Sequence, residues 1–97
     1  MTIQLQQREF HRFERMASRM FGRLHDKSFA VLMPHQGGSA IIMRQLDGVL
    51  CMKVDAKISD TIILPWQLIK EAAANSDGQI ELQQEDMQVL LKHEVKG

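Results

Sequence analysis

The sequence has one cysteine, no tyrosine and two prolines, and its twelve basic residues are cancelled by twelve acidic ones. A lone cysteine, Cys51, excludes an internal disulfide, and an oxidising compartment is not suggested. No apolar run approaches the roughly 20 residues that a membrane helix needs. The opening stretch MTIQLQQREF has no apolar core of signal-peptide length. The expectation is a cytoplasmic protein with no membrane partner. Zero net charge leaves the distribution of charge, rather than its total, to argue for or against nucleic acid. Ninety-seven residues, 44% apolar and 25% charged, fit one domain over 1–97 that buries roughly 60–65% of the surface its unfolded chain exposes.

What is present is a change of hydrophobic period along the chain. MTIQLQ alternates, with Ile3 and Leu5 on one side, and predicts a short strand. REFHRFERMASRMFGRL then takes a helical period: at 100° per residue, Phe10, Phe13, Ala17, Met20, Phe21 and Leu24 fall within about 100° of one another. His25, Asp26 and Lys27 lead out of this helix. SFAVLM predicts a strand stopped by Pro34, and PHQGGS a turn. SAIIMRQL predicts the next strand, and Asp47–Gly48 is a hairpin signal. In VLCMKVDAKI, Leu50, Met52, Val54, Ala56 and Ile58 alternate with Cys51, Lys53, Asp55 and Lys57. DTIIL gives a fourth run, and Pro65 opens a second helix with Trp66, Leu68, Ile69, Ala72 and Ala73 on its apolar face. NSDG closes that helix. A last hairpin turns at Glu85–Asp86, with Val89, Leu91 and Val95 on one face of its second strand. The order β-α-β-β-β-β-α-β-β predicts an α+β domain, two helices packed on one face of a mostly antiparallel sheet. The second half partly echoes the first.

The charge is placed unevenly within that order. Five of the six arginines lie in residues 8–23, each three or four residues from the next. On the helical wheel Arg8, Arg12, Arg15, Arg19 and Arg23 fall within about 80° of each other, opposite the phenylalanines. His11 and Ser18 flank the line, and Glu9 and Glu14 stand at its boundaries. Long cationic side chains can simply solvate an outer face. A solvating face, however, normally mixes Lys with Glu in i,i+4 pairs, whereas like charges at that spacing cost a few tenths of a kcal/mol per pair. The line also uses arginine alone, though the chain has six lysines elsewhere, and arginine suits bidentate phosphate contacts. Solvation and a polyanionic partner therefore both remain open. If the partner is nucleic acid, the face offers charge without rings for base stacking, which favours non-specific, salt-sensitive contact with duplex phosphates.

Other residues carry weaker signals. His11, His25, His35 and His93 share no ligand-like spacing and Cys51 has no second thiol, so no metal site is expected. His93 reads as a partly buried strand residue. Cys51, mid-strand between Val49 and Lys53, is a poor place for an exposed thiolate. HQGGS joins two strands rather than a strand and a helix, so a hairpin turn explains its glycines better than a phosphate cradle does. Glu85 and Asp86 are adjacent and splay apart. No catalytic constellation and no cofactor site emerges, so no enzyme is expected. The methionines Met16, Met20, Met33, Met43 and Met52 read as adaptable core filling.

The order of elements resembles one domain of the DNA sliding clamps, the processivity rings of replicative polymerases. MTIQLQQREFHRFERMASRMFG is similar to a clamp domain's opening strand and first helix, and SFAVLM with SAIIMRQLDGVLCMKV to the meander that follows. IILPWQLIKEAAA resembles the strand–proline–helix that opens the second half, and GQIELQQEDMQVLLKH the hairpin after it. The likeness spans nearly the whole chain. In that family the helices line a ring and their basic side chains face the duplex, while sheets form the outer wall. The resemblance implies that Arg8, Arg12, Arg15, Arg19 and Arg23 face double-stranded DNA, with Lys70 contributed by the second helix. It also implies a homo-oligomer, six copies for a ring, and a polymerase or other replication protein as client. The second half has one strand fewer than the first, which leaves a sheet edge open. The alternative is a small protein–protein interaction module whose basic helix docks an acidic partner.

Overall fold

The computed structural model describes the backbone of residues 2–25, 27–74, 79–85 and 88–93 and the side chains of 4–25 and 27–74. Along the chain lie β1 (Thr2–Gln6), α1 (Gln7–Phe21), β2 (Phe29–His35), β3 (Gly38–Gln45) and β4 (Gly48–Val54). Then come β5 (Ile62–Pro65), α2 (Trp66–Ala74), β6 (Gln79–Glu85) and β7 (Gln88–His93). This is the α+β order that the periodicity predicts. The strands divide into two sheets, ordered β4-β3-β2-β5 and β1-β6-β7, and every pairing is antiparallel.

The echo between the halves is an exchange of strands. β1 pairs with β6, the first strand after α2, and β5 pairs with β2, the first strand after α1. Each half lends its leading strand to the other's sheet. Both leading strands run directly into their helices with no loop between them. Neither half can therefore complete its sheet alone, which argues for one cooperative unit.

The core is filled by alternate strand residues and one stripe of each helix. Phe10, Phe13 and Ala17 of α1 are fully buried against Ala30, Leu32, Ile41, Met43, Ile62 and Leu64, with Trp66, Leu68, Ile69 and Ala72 from α2. Burying each phenylalanine contributes on the order of 2–3 kcal/mol. The paired helices are also joined by a polar contact. Gln7, buried among apolar side chains, donates from Nε2 to the Ala73 carbonyl oxygen at 2.6 Å. That carbonyl belongs to the last turn of α2, where carbonyls have no partner within the helix.

Several boundaries differ from the sequence reading. α1 stops at Phe21, where Gly22 takes a positive φ of 70° and donates its N–H to the Ser18 carbonyl. Leu24 and Phe21 still pack on the core, but Met20 is 47% exposed, as are Met33 and Phe29 to similar degrees. β2 runs through Pro34 to His35. Its pairing with β5 ends at Leu32↔Ile62, so Pro34 lies where β2 has lost one neighbour and the missing N–H costs no ladder bond. Gln36 and Gly37, with φ of 45° and 81°, form a two-residue turn of the mirror-image type that suits the strands' twist. The next turn is Leu46–Asp47 rather than Asp47–Gly48, because Gln45 pairs with Gly48. Pro65 ends β5, and α2 begins one residue later.

The predicted closure by residues 75–78, the roles of Asp26 and Asp86, and Val95 lie outside the described residues, as do the side chains of Val89, Leu91 and His93. No helix among the described residues is long and apolar enough to cross a membrane.

Candidate nucleic-acid interface

α1 exists because its two faces have opposite needs. The apolar stripe fixes one side against the sheet, and the other side must take whatever the sequence puts there. Arg8, Arg12, Arg15 and Arg19 are all exposed and fall within about 60° on the helical wheel, on the side opposite Phe10, Phe13 and Ala17. Measured along the axis, Arg8 and Arg19 are about 17 Å apart at 1.5 Å per residue. Among the described residues, no carboxylate pairs with any of the four. A groove of about 460 Å³ runs beside them, lined by Gln7, His11 and Met16 as well as the four arginines.

The fifth arginine does not belong to the helical line. Arg23 is exposed but follows the Gly22 cap, so the helical wheel no longer fixes its direction. Lys70 is exposed on α2, about 130° around that helix from the centre of its buried residues Trp66, Leu68, Ile69 and Ala72. It thus faces outward, on the helix whose last turn is tied to Gln7.

The line continues past the start of α1. Arg8 and Arg12 share a second, more polar recess of about 550 Å³ with Gln4, Gln6, Glu9, Lys53 and Asp55. Lys53 is an outward residue of β4, so this recess connects the arginine helix to the sheet edge beside it. The sequence alone did not single out Lys53 because strand and helix meet only in the fold.

The rings lie off the arginine face, and one is exposed elsewhere. Phe10, Phe13 and Trp66 are buried and Phe21 is half-buried, while Phe29 is 52% exposed. Phe29 lies on the outer face of the four-stranded sheet with Val31 and Met33, away from the buried face that α1 covers. That outer face is apolar across the sheet: Ile63, Val31, Ile42 and Cys51 form one cross-strand row. Cys51 is exposed, contrary to the sequence expectation, because it points to this outer side of an edge strand.

Among the described residues, no three His, Cys, Asp or Glu side chains cluster with a metal-binding arrangement. Comparison of the chain with protein-family models, with curated proteins and with solved structures returns no match.

Proposed function

We propose that this chain is a non-enzymatic, clamp-like DNA-associated protein that contacts duplex phosphates non-specifically through α1. The single observation that carries the reading is the row of four exposed guanidinium groups on α1 with no carboxylate partner among the described residues. Such a row costs the isolated helix a few tenths of a kcal/mol at each like-charged neighbour pair. An external polyanion removes that cost and supplies two oxygens to each fork.

The chemistry selects backbone over bases. The line offers no exposed ring for stacking, and arginines spread over about 17 Å along a helix axis match a surface that carries one charge per ~1.7 Å of duplex. Lys70 on α2 and Arg23 beyond the Gly22 cap extend the same contact at its margins. The clamp resemblance adds self-assembly and a replication client as parts of the same proposal.

The test is a charge reversal with a folding control. Arg12→Glu, Arg15→Glu and Arg19→Glu together should abolish duplex binding at low salt while the unfolding midpoint stays near that of the parent. Retention of parental duplex affinity by the triple variant overturns the reading. Tight binding of the parent to an acidic protein partner, with no duplex binding at low salt, would point to the interaction module instead.

A further inference from the structure

β4 is an edge of the four-stranded sheet, unpaired on its outer side among the described residues, and a single lysine is its main protection. Over its seven residues, Gly48–Val54, it has no proline, and its sole charge is Lys53. By contrast β5, the opposite edge, is four residues long and ends in Pro65. Exposed long edges invite pairing with another chain.

The register shows which backbone groups are available. Gln45 and Gly48 close the β3–β4 hairpin, and hydrogen-bonded and non-hydrogen-bonded pairs alternate from there. Leu50, Met52 and Val54 thus turn their N–H and C=O groups toward β3. Val49, Cys51 and Lys53 turn theirs outward, and no backbone bond among the described residues takes them up. These three positions are symmetric about Cys51.

We propose that two copies of this chain pair through β4, antiparallel about a twofold axis at Cys51, to form one continuous eight-stranded sheet. Cys51 then faces Cys51 of the second copy, and Val49 faces Lys53 twice. Every outward group of the edge gains a partner in that register, which no shift by one residue achieves. Lys53 comes diagonal to Asp47 of the second copy, within reach of a long side chain. Both are exposed and unpaired among the described residues, and Lys53 shares its recess with Arg8 and Arg12 as well as with Glu9 and Asp55, so an incoming carboxylate meets three cations against two carboxylates.

The apolar surface agrees with this axis. Met20, Leu46 and Val49 are three of the large exposed hydrophobic residues, and all three sit at this edge. Met20 reaches over Gly48, where a Cβ would lie 3.0 Å from its Cε. Pairing covers Met20 and Val49 and sets the two α1 helices on the same side of the joined sheet, one on each side of the axis. Two arginine rows then face one way. The pairing stands independently of DNA binding, although it supplies the self-assembly surface that the DNA reading leaves open.

The chain's sole cysteine makes the test direct. A hydrogen-bonded antiparallel pair holds its Cα atoms about 5.5 Å apart and its Cβ atoms at the far end of about 4.5–5.5 Å, beyond the ~3.5–4.5 Å of an unstrained disulfide but within the span of a short bifunctional thiol reagent. A short bis-maleimide should therefore link the parent into a dimer of about 22 kDa, twice the chain's 11.1 kDa. A Cys51→Ser, Ile63→Cys variant, whose thiol lies on β5, should stay unlinked. Under reducing conditions sedimentation velocity should show dimer for the parent, monomer for Lys53→Glu, and dimer again for Lys53→Asp combined with Asp47→Lys. Should Lys53→Glu fail to fold, Val49→Lys at the same edge reads the same loss. A reduced parent that stays monomeric at high micromolar concentration overturns the pairing. An assembly of any size whose Cys51 thiols resist the bis-maleimide while the Ile63→Cys control links does so equally. A β4 dimer that binds no duplex removes the DNA reading alone, and a monomer that binds duplex removes the pairing alone.

Discussion

Replacing Gln7 should reveal how the two helices are held to each other. Its side chain is buried, and its amide donates at 2.6 Å to the Ala73 carbonyl in the last turn of α2. Gln7→Met keeps the length of the side chain and its helix propensity but removes the donor. Losing a neutral hydrogen bond costs about 0.5–1.5 kcal/mol, and a buried acceptor left without a partner costs about 1–3 kcal/mol. The added apolar surface offsets part of this, which leaves an expected loss of about 1–2 kcal/mol. For a domain of this size each kcal/mol moves the melting midpoint by roughly 4–8 °C. Urea unfolding followed by circular dichroism measures the effect directly, and Gln4→Met at an exposed position serves as the control, with a change within about 0.5 kcal/mol.

Gln7→Glu adds a sign that packing cannot imitate. A carboxylate at this position is desolvated and faces a carbonyl oxygen, so its folded-state pKa rises above the unfolded value. The protonated acid can donate to Ala73 as the amide does. That contribution is present below the unfolded pKa and is lost as pH rises through the folded pKa. Gln7→Glu should therefore approach the parent in stability near pH 4 and fall well below it at neutral pH, relative to the parent at each pH. Gln7→Met as stable as the parent, or Gln7→Glu with no differential pH response, refutes the account of this contact.

Three further outcomes follow from named geometry. Phe13→Ala removes a fully buried ring at the centre of the helix–sheet contact and should cost about 3–5 kcal/mol by urea unfolding; a loss below 1 kcal/mol would contradict its place in the core. Gln36→Asn, at a φ of 45° that L-residues other than Asn and Asp rarely adopt, should stabilise by about 0.5–1 kcal/mol, visible as a raised melting midpoint. Arg15→Gln removes like-charge contacts to both Arg12 and Arg19 and should stabilise at low salt by about 0.4–1 kcal/mol. That gain should shrink as salt is added, whereas a loss of stability would mean that Arg15 is attracted to something within the fold.

Period and turn chemistry made most of the fold readable in advance. The switch from alternation to a 3.6-residue period at Arg8, and back again at Ser28, placed α1 and the meander to within a residue of their observed starts at Gln7 and Phe29. The misjudged details share a cause: local rules end where tertiary contacts begin. Pro34 suggested a stop, but β5 departs before reaching it, so the strand continues at no cost. Asp47–Gly48 is a good turn pair, but the register with Gln45 moves the turn one residue earlier. Met20 fits the apolar stripe, yet it lies over the edge strand at Gly48 and stays half-exposed. The exchange of β1 and β5 between sheets had no local signal, because pairing partners 73–81 residues apart for β1 and 30–36 for β5 are fixed by the whole topology. For the candidate site, the arginine row was legible from spacing alone. Arg23 was misassigned to the helix because a glycine at Gly22 can either weaken a helix or cap it, and its positive φ decides for the cap. Lys53 and the exposure of Cys51 depended on knowing which strand forms the edge.

The measurement that tests the central claim most directly is duplex affinity across a salt series for the parent and the Arg12→Glu, Arg15→Glu, Arg19→Glu variant. Four phosphate contacts predict a slope of log affinity against log salt near −3.6, and so a loss of about 150-fold between 50 and 200 mM salt. Two rows acting together in a β4 dimer would steepen that slope toward about −7. In either case the variant should show no measurable binding at the lowest salt. A parent whose affinity is insensitive to salt, or a variant that binds duplex as the parent does, would contradict the claim that the arginine face of α1 meets DNA phosphates.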